Sequence, residues 1–506
     1  MGAAFENAID QFVDEFVNAY PVSFPEDPGK VVHDALWGTQ HLKPYEVAVL
    51  NTPLLQRLRG IKQTAFSYLI FPSATHSRFE HTLGVLYQSN QLLTALSQTP
   101  KYQKILKDKI DLVRMTALLH DCGHGPFSHS TEEIYKFFPD MQSLIGPGGK
   151  HEGWTPHELL SYYIIKSTPF KLFFKTVIEK YNINIDIDLA AELIVGGVKD
   201  PSLKFVQDII NGPFDADKID YIFRDGHFSG LPLQIDLDRL WYSVQIADIR
   251  RPAKDTLKML IMSINGMVPL EQILFSKMVL FTSLYQHHKV RACDCMLKAI
   301  INYAKTNDQK IGKRDLSKTT NFLWLTDSRI YAEADLRKKN DPLHKLIHDL
   351  KFRRLLKRAL IISKTTVENG SSKDLFEYSA LKRFCNDSYA KDPELRKLAK
   401  KIWENAGRPC RVEQIWVDLP KAPPTGTADD TYINKGTFSK PDYVTLKDVF
   451  RVDDWAHNYV EHNWRGHVFC PEDKDIRKKV AISAKKILEE EFNVKFNKSA
   501  IKLCKI

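Results

Sequence analysis

Residues 117–129 read ALLHDCGHGPFSH, which sets three histidines and an aspartate beside two glycines and a proline. The approach, DLVRMTALLHD over 111–121, has helical apolar spacing, and Gly123, Gly125 and Pro126 then stop it. A helix that must break here delivers His120 and Asp121 in its last turn. Adjacent side chains on a regular helix diverge by about 100°, so a distorted end lets two neighbours reach one ion. The same bend can carry His124 and His129 back toward that ion. Imidazole with carboxylate suits Mn, Fe, Zn, Co or Ni, and the lack of local thiolate pairs disfavours structural zinc. Cys122, inside the motif, is read as a packed side chain.

The rest of the chain bounds what this site belongs to. At 506 residues it exceeds the usual single domain, so two domains or one large body with an appendage are expected. No apolar run approaches the roughly 20 residues that cross a bilayer, so no membrane partner is expected. The start, MGAAFENAIDQFVDEF, is acidic and amphipathic and does not read as a signal peptide. Glu6 occupies the usual Ser/Thr slot of a myristoylation signal, which discounts the Met1-Gly2 start. Seven cysteines without a single CxxC indicate reduced thiols and a cytoplasmic setting. Lys and Arg number 72 against 62 acidic residues, a net charge of +10 that favours nucleotides, phosphates or single-stranded nucleic acid as partners.

Periodicity favours helix over strand. Residues 78–98 carry Phe79, Leu83, Leu86, Leu93 and Leu96 near helical spacing, and 155–167 opens with Thr155 as N-cap and Pro156 at the first helical position. Residues 269–305 read as one long apolar-striped helix or a broken pair. Strand-like runs come late, at 413–420 and 442–450, and a last helix is expected over 475–492. The fold expected is mainly α: a helical body at 30–320, a smaller mixed α/β lobe at 321–506, and an N-terminal extension at 1–29. A P-loop ATPase is excluded by the missing GxxxxGK[ST], and a serine hydrolase by the missing GxSxG.

Distant residues complete a set. SRFEHTLG places His81 near a helix start after Arg78, and FDADKIDYIFRD places Asp217, Lys218, Tyr221 and Asp225 in one segment. His81, His120-Asp121 and Asp217 follow the H…HD…D order of the HD-domain phosphohydrolases. NTPLLQRLRGIKQ, FPSATHSRFEHTLGV, LLHDCGHGPFSH, WTPHE, FDADKIDYIFRD and YQHHKV extend the match over about 30–300. The chain thus resembles the HD-domain dNTP triphosphohydrolases, in the branch of the SAM- and HD-domain-containing enzymes, with no SAM domain ahead of the body.

The resemblance implies roles. His81, His120, Asp121 and Asp217 would hold a divalent transition metal, with Mg on the substrate phosphates. His124, His129 and His157, with Glu158 beside it, would surround the α-phosphate, and His129 would act at phosphorus or on the leaving 5′-oxygen. Arg78, Lys218 and Lys289 would bind phosphate oxygens. Gln63 and Asp225 would read the 3′-hydroxyl, Tyr221 would crowd a 2′-hydroxyl, and Tyr285 would face the base. Lys30, Val31, Asn51 and Arg59 lie where the family binds allosteric nucleotides between subunits, implying a homo-oligomer, tetrameric or larger. Three departures stand out: the extra residue in YQHHKV, which shifts Tyr285; Thr64 where a leucine meets the base; and neutral residues near Met278 and Thr282 where a basic pair is usual. Asn51 also replaces the acidic guanine reader.

The function expected is a metal-dependent deoxynucleoside triphosphate triphosphohydrolase, releasing deoxynucleoside and inorganic triphosphate. The alternatives are an HD phosphohydrolase for other nucleotides or nucleic-acid phosphodiesters, and a nucleotide-sensing or single-strand-binding HD scaffold. In the family such an activity serves nucleotide-pool control or antiviral defence against phage, and the sequence does not choose between them.

Overall fold

Helix Arg78–Ser97 starts where Ser77 and Glu80 cap each other, Glu80 accepting from Ser77 N–H and Ser77 Oγ accepting from Glu80 N–H. In the computed structural model, which describes all residues except 1, 20, 22, 27, 252–254, 369–390, 422–430 and 506, this helix is the central support of the site. Helices Ile110–Leu119 and Ala216–Ser229 both pack against it, so the three segments that carry the HD residues meet along one element. Thr155 and Pro156 begin helix Pro156–Lys166 as expected, with Glu158 Oε2 accepting the Thr155 N–H at 3.0 Å.

By contacts the chain divides into two units interleaved in sequence. One comprises Met1–Lys277, Lys318–Asp327 and Thr427–Arg451; the other comprises Met278–Ser317, Ser328–Gly426 and Val452–Ile506. This is a different division from one drawn in chain order at about 30 and 320. The fold is mainly α with small sheets. In the first unit, strands Val244–Arg250, Thr256–Ser263, Tyr432–Asn434 and Tyr443–Thr445 form a sheet in that order, its middle pair parallel and the outer pairs antiparallel. Strands Lys30–Asp34 and Gly38–Leu42 form a separate antiparallel hairpin.

The second unit holds an antiparallel sheet ordered Lys357–Ile362, Gly466–Cys470, Trp416–Asp418. Its core joins Leu360, Ile362, Val417, Trp464 and Val468 to Leu398 and Ile402 of helix Lys391–Asn405 and to Ala484 and Leu488 of helix Lys474–Phe492. Helix Lys474–Phe492 and the strand within 413–420 match the expectation, and a short helix Ser499–Lys502 follows. The run 442–450 is a strand only to Thr445, because Asp448 caps Thr445 and helix Leu446–Val449 follows. The two late strands also belong to different sheets, each in its own unit.

The stretch read as a long helix or a broken pair is broken. Helix Met267–Leu280 passes through a π turn at Phe281–Tyr285, and helix His288–Thr306 restarts where His287 caps the Lys289 N–H. Contrary to the sequence reading, residues 264–285 are long and apolar enough to cross a bilayer by length and composition alone. They carry Glu271 and Lys277, however, and Leu270, Ile273 and Leu274 are buried within the protein. Helix Gly2–Val13 is built into the first unit: Phe5 meets Tyr163 edge-on at 5.4 Å, and Phe12 meets Trp324 at 5.5 Å.

Candidate active site

Helix Ile110–Leu119 ends at His120, and successive turns from Leu119 to Cys122 and Asp121 to His124 fold the chain back. Ser161 locks that turn to helix Pro156–Lys166 by donating to the His120 carbonyl (2.8 Å) and accepting the Gly123 N–H (2.9 Å). A Cβ at Gly123 would strike the backbone of Ser161 and His157, so only glycine lets the two segments approach this closely. Arg57 braces the same turn from the other side, donating to the carbonyls of Cys122 (2.5 Å) and His124 (2.8 Å).

His81, His120 and Asp121 form the first cluster, each offering a ligand atom within 4.8 Å of the others. His120 Nδ1 donates to the Ala117 carbonyl (2.7 Å), and His81 Nδ1 meets Asp220 Oδ2 (2.8 Å). Both rings therefore turn Nε2 toward Asp121, and both Nε2 atoms are buried without a hydrogen-bond partner. Asp217 Oδ1 lies 3.0 Å from His81 Nε2, so the fourth expected residue is at the same centre. Two imidazole Nε2 atoms converging on two carboxylates fit a divalent transition metal, and the Nδ1 bonds are the outer contacts that orient such ligands. Burial opposes charge on Asp121, but His120, Arg78 and His124 hold its carboxyl well below the usual range.

Asp220, on the helix face next to Asp217, anchors His81 and is itself held by Arg224 Nε (2.8 Å) and Trp37 Nε1 (2.5 Å). Arg224 extends the network to Asp34 Oδ2 at 3.0 Å. Gly84 makes room for it, since a Cβ there would overlap the Asp220 carboxylate.

A second cluster gathers around a carboxylate that the sequence reading did not name. Glu132 Oε1 lies 2.9 Å from His124 Nδ1 and 3.1 Å from His157 Nδ1, and Oε2 lies 3.1 Å from His129 Nδ1. The rings of His124 and His157 stack at 4.2 Å. Burial, Arg78 and His157 push His124 down to about 4, so its ring is neutral. Burial also works against a proton on His157, but Glu132 outweighs it and raises His157 to about 9. His129 opens helix His129–Tyr135 with a 63% exposed side chain, the group of this cluster most open to a ligand. The i, i+3 spacing of His129 and Glu132 was the available signal for the missed carboxylate.

Arg78 joins the two clusters, donating to Asp121 Oδ2 (2.7 Å) and Ser128 Oγ (2.9 Å). Other expected residues have different employment. The Lys218 ammonium, expected on phosphate, donates to Asp215 Oδ2 (2.5 Å) and the Gly212 carbonyl (2.8 Å). Glu158 serves its helix cap and accepts from Asn211 Nδ2 at 3.3 Å. Asp225 Oδ1 meets His76 Nε2 at 2.7 Å. Burial, then Asp217, Asp215 and Asp225, raise the Tyr221 hydroxyl well above its ordinary value, so that hydroxyl is neutral among carboxylates. Gln63 Oε1 and Thr64 Oγ1 are buried without hydrogen-bond partners.

Met278 and Thr282 are neutral, and a basic residue, Lys277, stands directly before them. Lys277 is 9% exposed, and burial and Lys218 lower its ammonium to about 8 while Asp215 and Asp217 pull the other way. A basic side chain therefore does face the Asp215–Lys218 segment, and it was overlooked because it sits inside an apolar helix. Tyr285 and Lys289 belong to the second unit. Of the residues expected at an allosteric site, Lys30 and Val31 are exposed on the hairpin, and Asn51 ends helix Pro44–Leu50. Arg59 lies 3.6 Å over the Phe79 ring, with Nε donating to Gln56 Oε1 at 2.8 Å.

Known proteins carry similar sequences. The HD domain model matches residues 78–209, and the HD associated region matches 235–498. The chain is 33% identical over 241 residues to the deoxynucleoside triphosphate triphosphohydrolase SAMHD1 of Homo sapiens, covering 44% of this chain and 37% of that protein. It is 30% identical over 292 residues to the protein of that name from Bos taurus, covering 54% and 47%. An uncharacterized protein of Methanocaldococcus jannaschii is 28% identical over 316 residues, covering 61% and 58%. The chain thus spans less than two thirds of the length of each of these relatives. With its HD segment matched, and an associated region that takes up more than half of its length, the chain belongs to the HD-domain proteins that carry an HD associated region.

Proposed function

We propose that this protein is a metal-dependent phosphohydrolase that cleaves deoxynucleoside triphosphates to deoxynucleoside and inorganic triphosphate. The observation that carries the reading is the meeting of two clusters at Asp121 and His124. His124 Nε2 is 3.3 Å from Asp121 Oδ1, while its Nδ1 faces Glu132. A centre suited to a cation thereby adjoins a group of imidazoles suited to proton transfer. The relatives named as deoxynucleoside triphosphate triphosphohydrolases point to the substrate class.

His81, His120, Asp121 and Asp217 would hold the ion, which when bound supplies Lewis acidity and a water of lowered pKa. Arg78 keeps positive charge beside Asp121, where phosphoryl oxygens would lie. His157, raised to about 9, carries a proton at neutral pH beside the neutral His124. His129, exposed and steadied by Glu132, delivers a proton to the departing 5′-oxygen. Lys277 adds positive charge on the Asp217 side, for the distal phosphates. Tyr221 lies one turn after Asp217 and walls off a 2′-hydroxyl. Homo-oligomer formation and a cytoplasmic location are part of this reading, resting on the resemblance and on cysteine usage.

The test is product analysis with all four dNTPs and four NTPs in Mn, Mg, Fe and Co. Inorganic triphosphate should appear from dNTPs with a kcat/KM at least about tenfold above that for NTPs, worth roughly 1.4 kcal/mol. Tyr221→Ala should narrow that ratio. Equal turnover of NTPs would replace this reading with a broader nucleotide phosphohydrolase.

A further inference from the structure

Asp327 lies 200 residues beyond Phe127 and outside every motif in the sequence, yet its carboxylate reaches the loops that frame the site. Oδ2 accepts the Lys62 N–H at 2.8 Å, and Oδ1 accepts the Phe127 N–H at 2.6 Å. The residue is 6% exposed. Burial pushes its carboxyl up to about 7, against the pull of the two N–H groups, Lys62 and Arg78. A buried carboxylate that accepts from two backbone N–H groups is a clamp on backbone.

What it clamps is strained. Phe127 and Ser128 both have positive φ, 56° and 49°, conformations that L side chains disfavour and that persist only when the surroundings hold them. Ser128 is the residue before His129, so this turn sets where the His129 helix begins and how its ring is aimed. Ser128 Oγ then donates to the Lys62 carbonyl (2.6 Å) and accepts from Arg78 Nε, closing a loop between the two stretches of chain that Asp327 holds. The fit leaves no slack: a Cβ on Gly60 would come within 2.8 Å of the Thr326 side chain.

We propose that Asp327 is a positioning residue for His129, holding the Phe127–Ser128 turn against Lys62 so that the imidazole meets the reacting phosphate in register. This rests on the phosphohydrolase reading for its kinetic consequence, and on geometry alone for its effect on His129. Small displacements of a reacting group cost up to about 100-fold in rate. The clamp acts on placement alone, so substrate affinity and metal content should be spared.

The experiment compares the full chain with Asp327→Asn, which keeps one acceptor oxygen, and Asp327→Ala, which keeps none. Metal content, kcat and KM are measured, together with the ring resonances of His129 in selectively labelled protein. The expected result is unchanged metal and KM, kcat lower by about tenfold in the Asn variant and about 100-fold in the Ala variant, and shifted His129 resonances in both. Wild-type kcat in Asp327→Asn would overturn the proposal, as would a loss of substrate affinity or metal content with kcat intact. If the wild type hydrolyses no nucleotide, the functional reading fails by itself. The His129 resonances then decide this inference, and their invariance in Asp327→Asn overturns it. Should the Ala variant fail to fold, the Asn variant alone carries both outcomes.

Discussion

Two clusters of imidazole and carboxylate share Asp121 and His124 as their meeting point, and they differ in how their acceptors are shared among the rings. In the first, His81 and His120 spend Nδ1 on fixed acceptors, Asp220 and the Ala117 carbonyl, and present a bare Nε2 to the centre. In the second, His124, His129 and His157 all turn Nδ1 to one carboxylate, Glu132. The residue types are the same. What differs is the sharing: each ring of the first cluster has its own acceptor, whereas three rings of the second converge on one carboxylate, which raises His157 to about 9.

The sharpest way to break this comparison is to remove a residue from the first cluster. His120→Ala and Asp121→Ala should each strip most bound metal and abolish turnover, with the fold intact by circular dichroism. Full metal occupancy by elemental analysis in the double variant would show that the first cluster is no metal centre. His129→Ala, from the second cluster, should leave metal in place and lower kcat by about 10²–10⁴-fold. Loss of metal in that variant would merge the two clusters into one.

Subtler changes sharpen the contrast. Asp220→Asn leaves every proposed ligand present but frees the His81 ring, and should weaken metal affinity by about 10–100-fold. Excess metal should restore its turnover; a defect that metal cannot rescue would place Asp220 in some other role. Glu132→Gln should act on protons instead. His157 is raised to about 9 from an ordinary 6.5, so its proton contributes stability that is fully present below 6.5 and lost as pH rises through about 9. In the Glu132→Gln variant the His157 ring loses its anion while its burial persists, and it titrates at or below its ordinary value. The pH dependence of unfolding between 6.5 and 9 should flatten. An unchanged pH dependence would assign the titrating proton elsewhere.

The chain's own order of residues makes some of this legible and hides the rest for definable reasons. The helix break after Leu119 is local chemistry: apolar periodicity meets Gly123, Gly125 and Pro126, and no tertiary contact is needed to see it. The caps of helices Arg78–Ser97 and Pro156–Lys166 are local too, because a cap is closed within four residues. His81, His120, Asp121 and Asp217 could be named from their order along the chain, and the fold brings them to one point.

Glu132, Lys277 and Asp327 could not be weighted in the same way. An acidic residue on a helix reads as solvated, a lysine in an apolar helix as a snorkelling surface group, and a lone aspartate as a cap. Each acquires its meaning only when burial withdraws water and a distant segment supplies the partner. Lys218 and Glu158 show the converse, since neighbouring groups commit their charges to Asp215, the Gly212 carbonyl and a helix cap.

By itself the sequence determined where helices stop and which side chains are chemically able to hold a cation or carry a proton. Those properties belong to single residues and to spacings of a few positions. Only the tertiary structure decided which nitrogen of each histidine faces the centre and which carboxylate owns it. Hydrogen bonds are directional over about 3 Å, and their partners, Asp220 for His81 or Asp327 for Phe127, lie 139 and 200 residues away along the chain.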